Sequence, residues 1–135
     1  MEALVCPSQV LSIDCLGEVF EGVLWGQDVA VKIMRIKGVL DESRYRKYQK
    51  EVSIMRSLRH PNIVEFMGIS LQQEDVATQE PAKLCIVTEL LPNGNLEQLL
   101  TRRKLSWKRY FRFAKDIAIG LNWLHHKGII HRDLV

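Results

Sequence analysis

No stretch of this chain approaches the ~18 consecutive apolar residues of a membrane-spanning helix, so the sequence offers no candidate span. The start, Met1-Glu2-Ala3-Leu4, has neither a basic region nor a long apolar core, and no secretory signal is expected. Cysteine is scarce. Cys6, Cys15 and Cys85 make an odd count without metal-ligand spacing, which outlines no metal site and suits a reducing compartment. These features together predict a cytoplasmic protein. An excess of one charge is also lacking: 19 Lys and Arg stand against 16 Asp and Glu, and the net charge of +3 is too small to argue for nucleic acid. The basic residues fall in Arg44 to Lys50, Arg102 to Lys104 and Lys108 to Arg112, where they read as solvated helix faces and loops. There is no internal repeat and no low-complexity segment.

What is present is the composition of an ordinary globular protein. The 135 residues are 47% apolar and 26% charged, and a chain of that length buries roughly two thirds of its unfolded surface. Val10-Leu11, Gly17 and Val19-Phe20 read as strand, turn and strand, and a further strand runs from about Val29 to Arg35 after a turn at Gly26 and Asp28. Residues 36 to 43 read as a loop. From Arg44 to Arg59 the period becomes helical, with Tyr45, Tyr48, Val52, Met55 and Leu58 on one stripe and Glu51 at its border. His60-Pro61-Asn62 ends that helix, because proline disfavours helical geometry in the residue before it. Ile63 to Ile69 and Leu84 to Glu89 are β-rich, with a polar loop from Gln72 to Lys83 between them that is expected to be mobile. Pro92-Asn93-Gly94 reads as a linker and Leu96 to Leu100 as a short helix. The clearest helix runs from Trp107 to His126, with Ser106 as N-cap and Gly128 at its C-terminal cap.

Taken singly, Lys32 is an ordinary strand-end lysine, and Glu51 could pair with Lys47 on its own helix. The order of motifs says more. Val29-Ala30-Val31-Lys32 precedes Glu51 on a helix, then come His60-Pro61-Asn62-Ile63-Val64, Ile86-Val87-Thr88-Glu89 and Gly94-Asn95-Leu96. Leu124-His125 and His131-Arg132-Asp133-Leu134 close the series. A lysine on a strand, a glutamate on the next helix and a His-Arg-Asp run form the constellation used for phosphoryl transfer from ATP. In this order, from Leu11 onward, the chain resembles the protein kinases. Leu105-Ser106-Trp107 and Asp116-Ile117-Ala118-Ile119-Gly120-Leu121 resemble the tyrosine-kinase-like group, whose usual substrates are serine and threonine.

The resemblance implies an α+β fold. Residues 1–91 would form the N-terminal lobe, a five-stranded antiparallel sheet plus one helix, with residues 1–10 poorly defined. Residues 92–95 would be the hinge linker, and 96–135 the first helices of an incomplete C-terminal lobe. It implies that Lys32 contacts the ATP phosphates and is held by Glu51, and that Thr88 is the gatekeeper beside the adenine. Backbone groups of Glu89 and Leu91 would hydrogen-bond the adenine edge, under an apolar roof of Leu11, Val19 and Ala30. Asp133 would accept the proton of the substrate hydroxyl, and His131 and Arg132 would support its loop. ATP and a protein substrate are the implied partners.

Two departures stand out. The family's phosphate loop has three glycines, which let backbone N–H groups approach the phosphates. Here Ser12 and Asp14 stand at the first two positions, Leu16 replaces the usual aromatic, and only Gly17 remains. The implied magnesium ligands, an asparagine after the catalytic aspartate and an Asp-Phe-Gly segment, would lie beyond Val135. Magnesium is therefore expected only in a longer parent, and the chain by itself is expected to transfer no phosphate. The alternatives are a pseudokinase-like module that binds nucleotide or a partner without catalysis, and a fragment that docks on another kinase.

Overall fold

The structure is a computed structural model. It describes the backbone of residues 5–14, 17–36, 42–72, 82–132 and 134, with side chains for 10–11, 18–36, 43, 45–46, 49–50, 52–71, 82–132 and 134. The elements are β1 (Val5–Asp14), β2 (Gly17–Leu24), β3 (Gln27–Arg35), α1 (Glu42–Ser57), β4 (Phe66–Gln72), β5 (Lys83–Glu89), α2 (Leu96–Arg102) and α3 (Trp107–His126). The strands form one sheet in the order β1-β2-β3-β5-β4, and every pairing is antiparallel. The expected five-stranded antiparallel sheet with one helix, followed by further helices, is what the chain forms. The chain divides into two compact units: residues 1–59 with 65–90, and 60–64 with 91–135.

In the first unit, β2 and β3 are joined by Trp25-Gly26, with φ +50° and +79°, and Leu24 pairs with Gln27. Two positive φ values are what a two-residue hairpin needs to match the twist of its strands. Gly26 adopts this freely, whereas the exposed Trp25 is strained there. Alternation then sorts the side chains. Val29, Val31, Cys85 and Val87 form a buried cluster on one face, with Leu24, Ile33 and Met67 against it. On the opposite face Ile36, Ala82 and Leu84 are buried, with Met34, Ile69, Leu71 and Ile86 around them. Ile36 N–H donates to Ala82 O at 2.8 Å, which prolongs the β3–β5 pairing by one residue.

Helix α1 lies over this second face. Its buried Val52 and neighbouring Tyr45, Gln49, Ser53 and Arg56 share a cleft of about 390 Å³ with Ile69, Leu71 and Leu84. The helix ends at Ser57, two residues short of the sequence expectation. Its last turn tightens, with Leu58 N–H on Met55 O at 3.1 Å and the Ser57 hydroxyl on Ile54 O at 2.7 Å. The polar loop expected to be mobile lies outside the described residues from 73 to 81.

In the second unit α2 is capped at its start. The Asn95 side chain accepts from Gln98 N–H at 2.8 Å, and Asn95 N–H donates to Gln98 Oε1 at 3.3 Å. Helix α3 has the expected bounds, and Ser106 is its N-cap but makes no side-chain capping bond. Its C-terminus closes with Gly128 N–H on His125 O at 2.9 Å and Ile129 N–H on Leu124 O at 3.0 Å. That bond pair requires a left-handed residue after the cap, and Gly128 at φ +72° supplies it.

The segment His60–Val64 was expected to lead straight into a strand from Ile63. Instead β4 begins at Phe66, and His60–Val64 packs with α3. Asn62 N–H donates to His60 Nδ1 at 3.0 Å and Ile63 N–H to His60 O at 3.0 Å, which turns the chain. The His60 ring lies 5.5 Å from that of Trp123, and Lys127 Nζ stands 5.5 Å from the centroid of the same indole. A Cβ on Gly120 would meet Asn62 O at 3.0 Å, so glycine is what lets α3 approach this backbone.

Candidate functional site

The register of the first unit brings four of the expected nucleotide-contacting positions onto one face of the sheet. Val19 is opposite Lys32, Ala30 is opposite Thr88, and Lys32 is opposite Ile86. Directly opposed residues share a face, so Val19, Ala30, Lys32 and Thr88 lie on the same side, the side that α1 covers at Leu84. All four are half-buried. Ala30 stands between Glu21 on β2 and Thr88 on β5, with Val19 diagonal to it, and its side chain is the smallest of the four. Lys32 is the one cation in that group. Glu51 belongs to α1, but its side chain lies outside the described residues.

Glu89 ends β5, and its groups are already engaged in part. Its N–H donates to Glu65 O at 3.0 Å, and its Oε1 accepts from Glu65 N–H at 2.8 Å. The Thr88 hydroxyl donates to Glu89 O at 3.3 Å. A carbonyl has two lone pairs, so Glu89 can still offer its C=O to a donor, whereas its N–H is spent on the pairing with Glu65. The sequence contained no signal for this Glu65–Glu89 clasp, because the two residues are 24 apart and neither sits in a capping or turn pattern.

The phosphate-loop positions are only partly described. The β1–β2 ladder continues to Asp14 opposite Gly17, so the strands run up to a two-residue connection. Cys15 and Leu16 in that connection, and the side chains of Ser12, Asp14 and Gly17, lie outside the described residues. Leu11 falls at a register irregularity between Val10 and Ser12 and is exposed.

In the second unit Leu91 is exposed, and its carbonyl accepts from Gly94 N–H at 3.4 Å, closing a turn. Gly94, at φ +75°, has Gln98 Oε1 where a Cβ would stand. His131 and Leu134 line a groove of about 330 Å³ with Asn62, Ile63, Val64 and the inner face of α3 at Ile117, Gly120, Leu121 and Leu124. Arg132 has φ +66°, a left-handed conformation that a non-glycine residue keeps only where its surroundings hold it. Asp133 lies outside the described residues. No group of three His, Cys, Asp or Glu able to hold a metal occurs among the described residues. No described helix is long and apolar enough to cross a membrane.

Residues 7–135 match the protein tyrosine and serine/threonine kinase family. The chain belongs to the protein kinase family. Among curated kinases, it is 38% identical over 120 residues to the serine/threonine-protein kinase STY46 of Arabidopsis thaliana, covering 87% of this chain and 19% of that protein. It is 42% identical over 124 residues to the serine/threonine-protein kinase CTR1 of Arabidopsis thaliana, covering 87% of this chain and 14% of that one. The dual specificity protein kinase shkB of Dictyostelium discoideum is 35% identical over 129 residues, covering 92% of this chain and 18% of its own. The chain thus spans less than a fifth of the length of each of these relatives. Two of the three are named serine/threonine-protein kinases and the third a dual specificity kinase.

Proposed function

We propose that this chain carries the ATP-binding part and the first residues of the catalytic loop of a cytoplasmic serine/threonine protein kinase. The observation that carries the reading is the register that sets Val19, Ala30, Lys32 and Thr88 on one face of a kinase-family sheet. On this reading Val19 and Ala30 hold the adenine by apolar contact, with Leu11 at the edge and Thr88 beside the ring. The Glu89 carbonyl and the backbone of Leu91 bond its edge. Lys32 takes the α- and β-phosphates, with Glu51 as its partner on α1. Asp133 accepts the proton of a serine or threonine hydroxyl, and His131 and Arg132 hold its loop. Residues 1–91 act as the nucleotide-binding lobe, 92–95 as the hinge, and 96–135 as the start of the substrate-binding lobe. Magnesium would neutralise the phosphates when bound; in the family its ligands are an asparagine and an Asp-Phe-Gly segment that follow the catalytic aspartate, so residues 1–135 by themselves are expected to transfer no phosphate.

A second reading is a module that binds nucleotide weakly or a partner without catalysis. Ser12 and Asp14 favour it, because a carboxylate at the phosphate loop repels phosphate and each added Cβ restricts backbone approach; about 1 kcal/mol each is expected. Titration with ATP tests both readings. Lys32→Met should weaken binding about tenfold, the loss of one charge-assisted contact, and Ser12→Gly with Asp14→Gly should strengthen it. ATP affinity unchanged by Lys32→Met would remove the nucleotide site from this face. A double-glycine chain that binds no better would clear these two side chains.

A further inference from the structure

The connection between α2 and α3 is Arg103-Lys104-Leu105-Ser106, directly after Arg102 at the end of α2. Arg102, Arg103, Lys104 and Ser106 are exposed, and Leu105 is half-buried. From Arg102 to Lys115 the chain holds seven Lys and Arg and no Asp or Glu. The backbone is extended at Arg103 (φ −144°, ψ 137°) and again at Ser106 (φ −66°, ψ 150°). Extended backbone is the form in which a peptide lies in another protein's groove and offers its side chains to separate pockets. The segment therefore presents a hydroxyl preceded at three and four residues by guanidinium groups.

The hydroxyl is also uncommitted. Ser106 caps α3 by position, yet its side chain makes no capping bond. Helix α2 has a complete capping box and Glu97 in its first turn, whereas the first turn of α3 has no acid and holds Lys108 and Arg109. Those cations stand at the positive end of the helix, where they are unfavourable. Helix geometry leaves the N–H groups of Trp107 and Lys108 without an intrahelical acceptor. A first turn with neither cap nor complementary charge opens at low cost, as helix ends do, and opening it frees Trp107 to follow Ser106 into a groove.

We propose that Ser106 is a phosphorylation site for a basophilic serine/threonine kinase, one whose substrate groove carries carboxylates that take Arg102 and Arg103. In the transfer the Ser106 Oγ bonds to the γ-phosphorus of that enzyme's ATP. The bond from this phosphorus to the β,γ-bridging oxygen breaks, ADP leaves with the electron pair, and the hydroxyl proton passes to the modifying enzyme's base. The product carries about −1.5 to −2 charge. It stands at the N-terminus of α3 among Arg103, Lys104, Lys108 and Arg109, which suits the site to hold it. This inference does not depend on nucleotide binding by the chain itself.

The test is incubation of the full chain with labelled ATP and a purified kinase of arginine-directed specificity, with the modified residue located by mass spectrometry. The expected result is label on Ser106, absent when the added kinase is left out and absent in Ser106→Ala. Arg102→Ala with Arg103→Ala leaves the acceptor in place and should slow labelling about tenfold or more, the loss of charge-assisted contacts. Label elsewhere with Ser106 unmodified would overturn the proposal, as would an unchanged rate in the double-alanine chain. So would labelling of a synthetic peptide spanning residues 99–111 without labelling of the chain, since the fold would then withhold Ser106.

Discussion

The sheet-bearing unit and the helical unit differ in what they bury. Among the described residues the buried apolar side chains of the first are Val29, Val31, Ile36, Val52, Ala82, Leu84, Cys85 and Val87, and the second has Leu124 alone. Both units expose large apolar side chains, among them Trp25 in the first and Trp107, Tyr110, Phe111, Ile117, Ile130 and Leu134 in the second, but the second has almost no buried apolar side chain beside them. Trp107 is 76% exposed and Phe111 65%, and their rings and that of Tyr110 lie with centroids 6.0 to 6.4 Å apart. Strands in register bury each other's side chains on both faces, so the first unit makes its own core. Helix α3 has an apolar stripe and few neighbours in its own unit, so local devices hold it: the closure at Gly128 and the packing of His60 and Asn62 against Trp123 and Gly120. Helices held by such means are marginal, since most helical stability comes from a buried face.

The largest expected consequence is in proteolysis of residues 1–135. Cleavage should begin after the Pro92-Asn93-Gly94 linker and within α3, while residues 1–91 survive as a resistant fragment. Equal resistance of both units in a monomer would break the comparison. Single substitutions sharpen it. Leu84→Ala removes a side chain that is 3% exposed at the sheet core and should cost about 3 kcal/mol in urea unfolding. Ile119→Ala, on the exposed side of α3, should change stability by less than about 0.5 kcal/mol. A similar loss for both would mean that α3 is packed as tightly as the sheet. The smallest effects compare the two helix starts within the helical unit. Asn95→Ala should lower the stability of α2 by about 1 kcal/mol, because it removes a formed capping box, whereas Ser106→Ala removes no bond and should leave α3 unchanged within error. Amide exchange in the first turn of each helix reads both, and a Ser106 effect as large as that of Asn95 would contradict the uncapped start.

Much of the fold was legible along the chain. The bounds Trp107–His126, the N-cap position at Ser106 and the glycine at 128 follow from a 3.6-residue period and from end residues that act within one turn. The alternating β3 and its turn at Gly26 are equally local, and so were the kinase motifs that named Lys32, Thr88 and Glu89 as candidates. Other features depend on surfaces far apart in sequence. That Ala30 faces Thr88, and Val19 faces Lys32, depends on register, and one residue of slip would send each side chain to the other face. The Glu65–Glu89 clasp and the late start of β4 at Phe66 were equally hidden. Ile63 and Val64 have the apolar, β-branched character of a strand, but His60 and Asn62 found Trp123 and Gly120 first. Short-range preferences set each element because their energies act between near neighbours. Which elements share a face was decided by burial, which depends on the whole set of surfaces that meet.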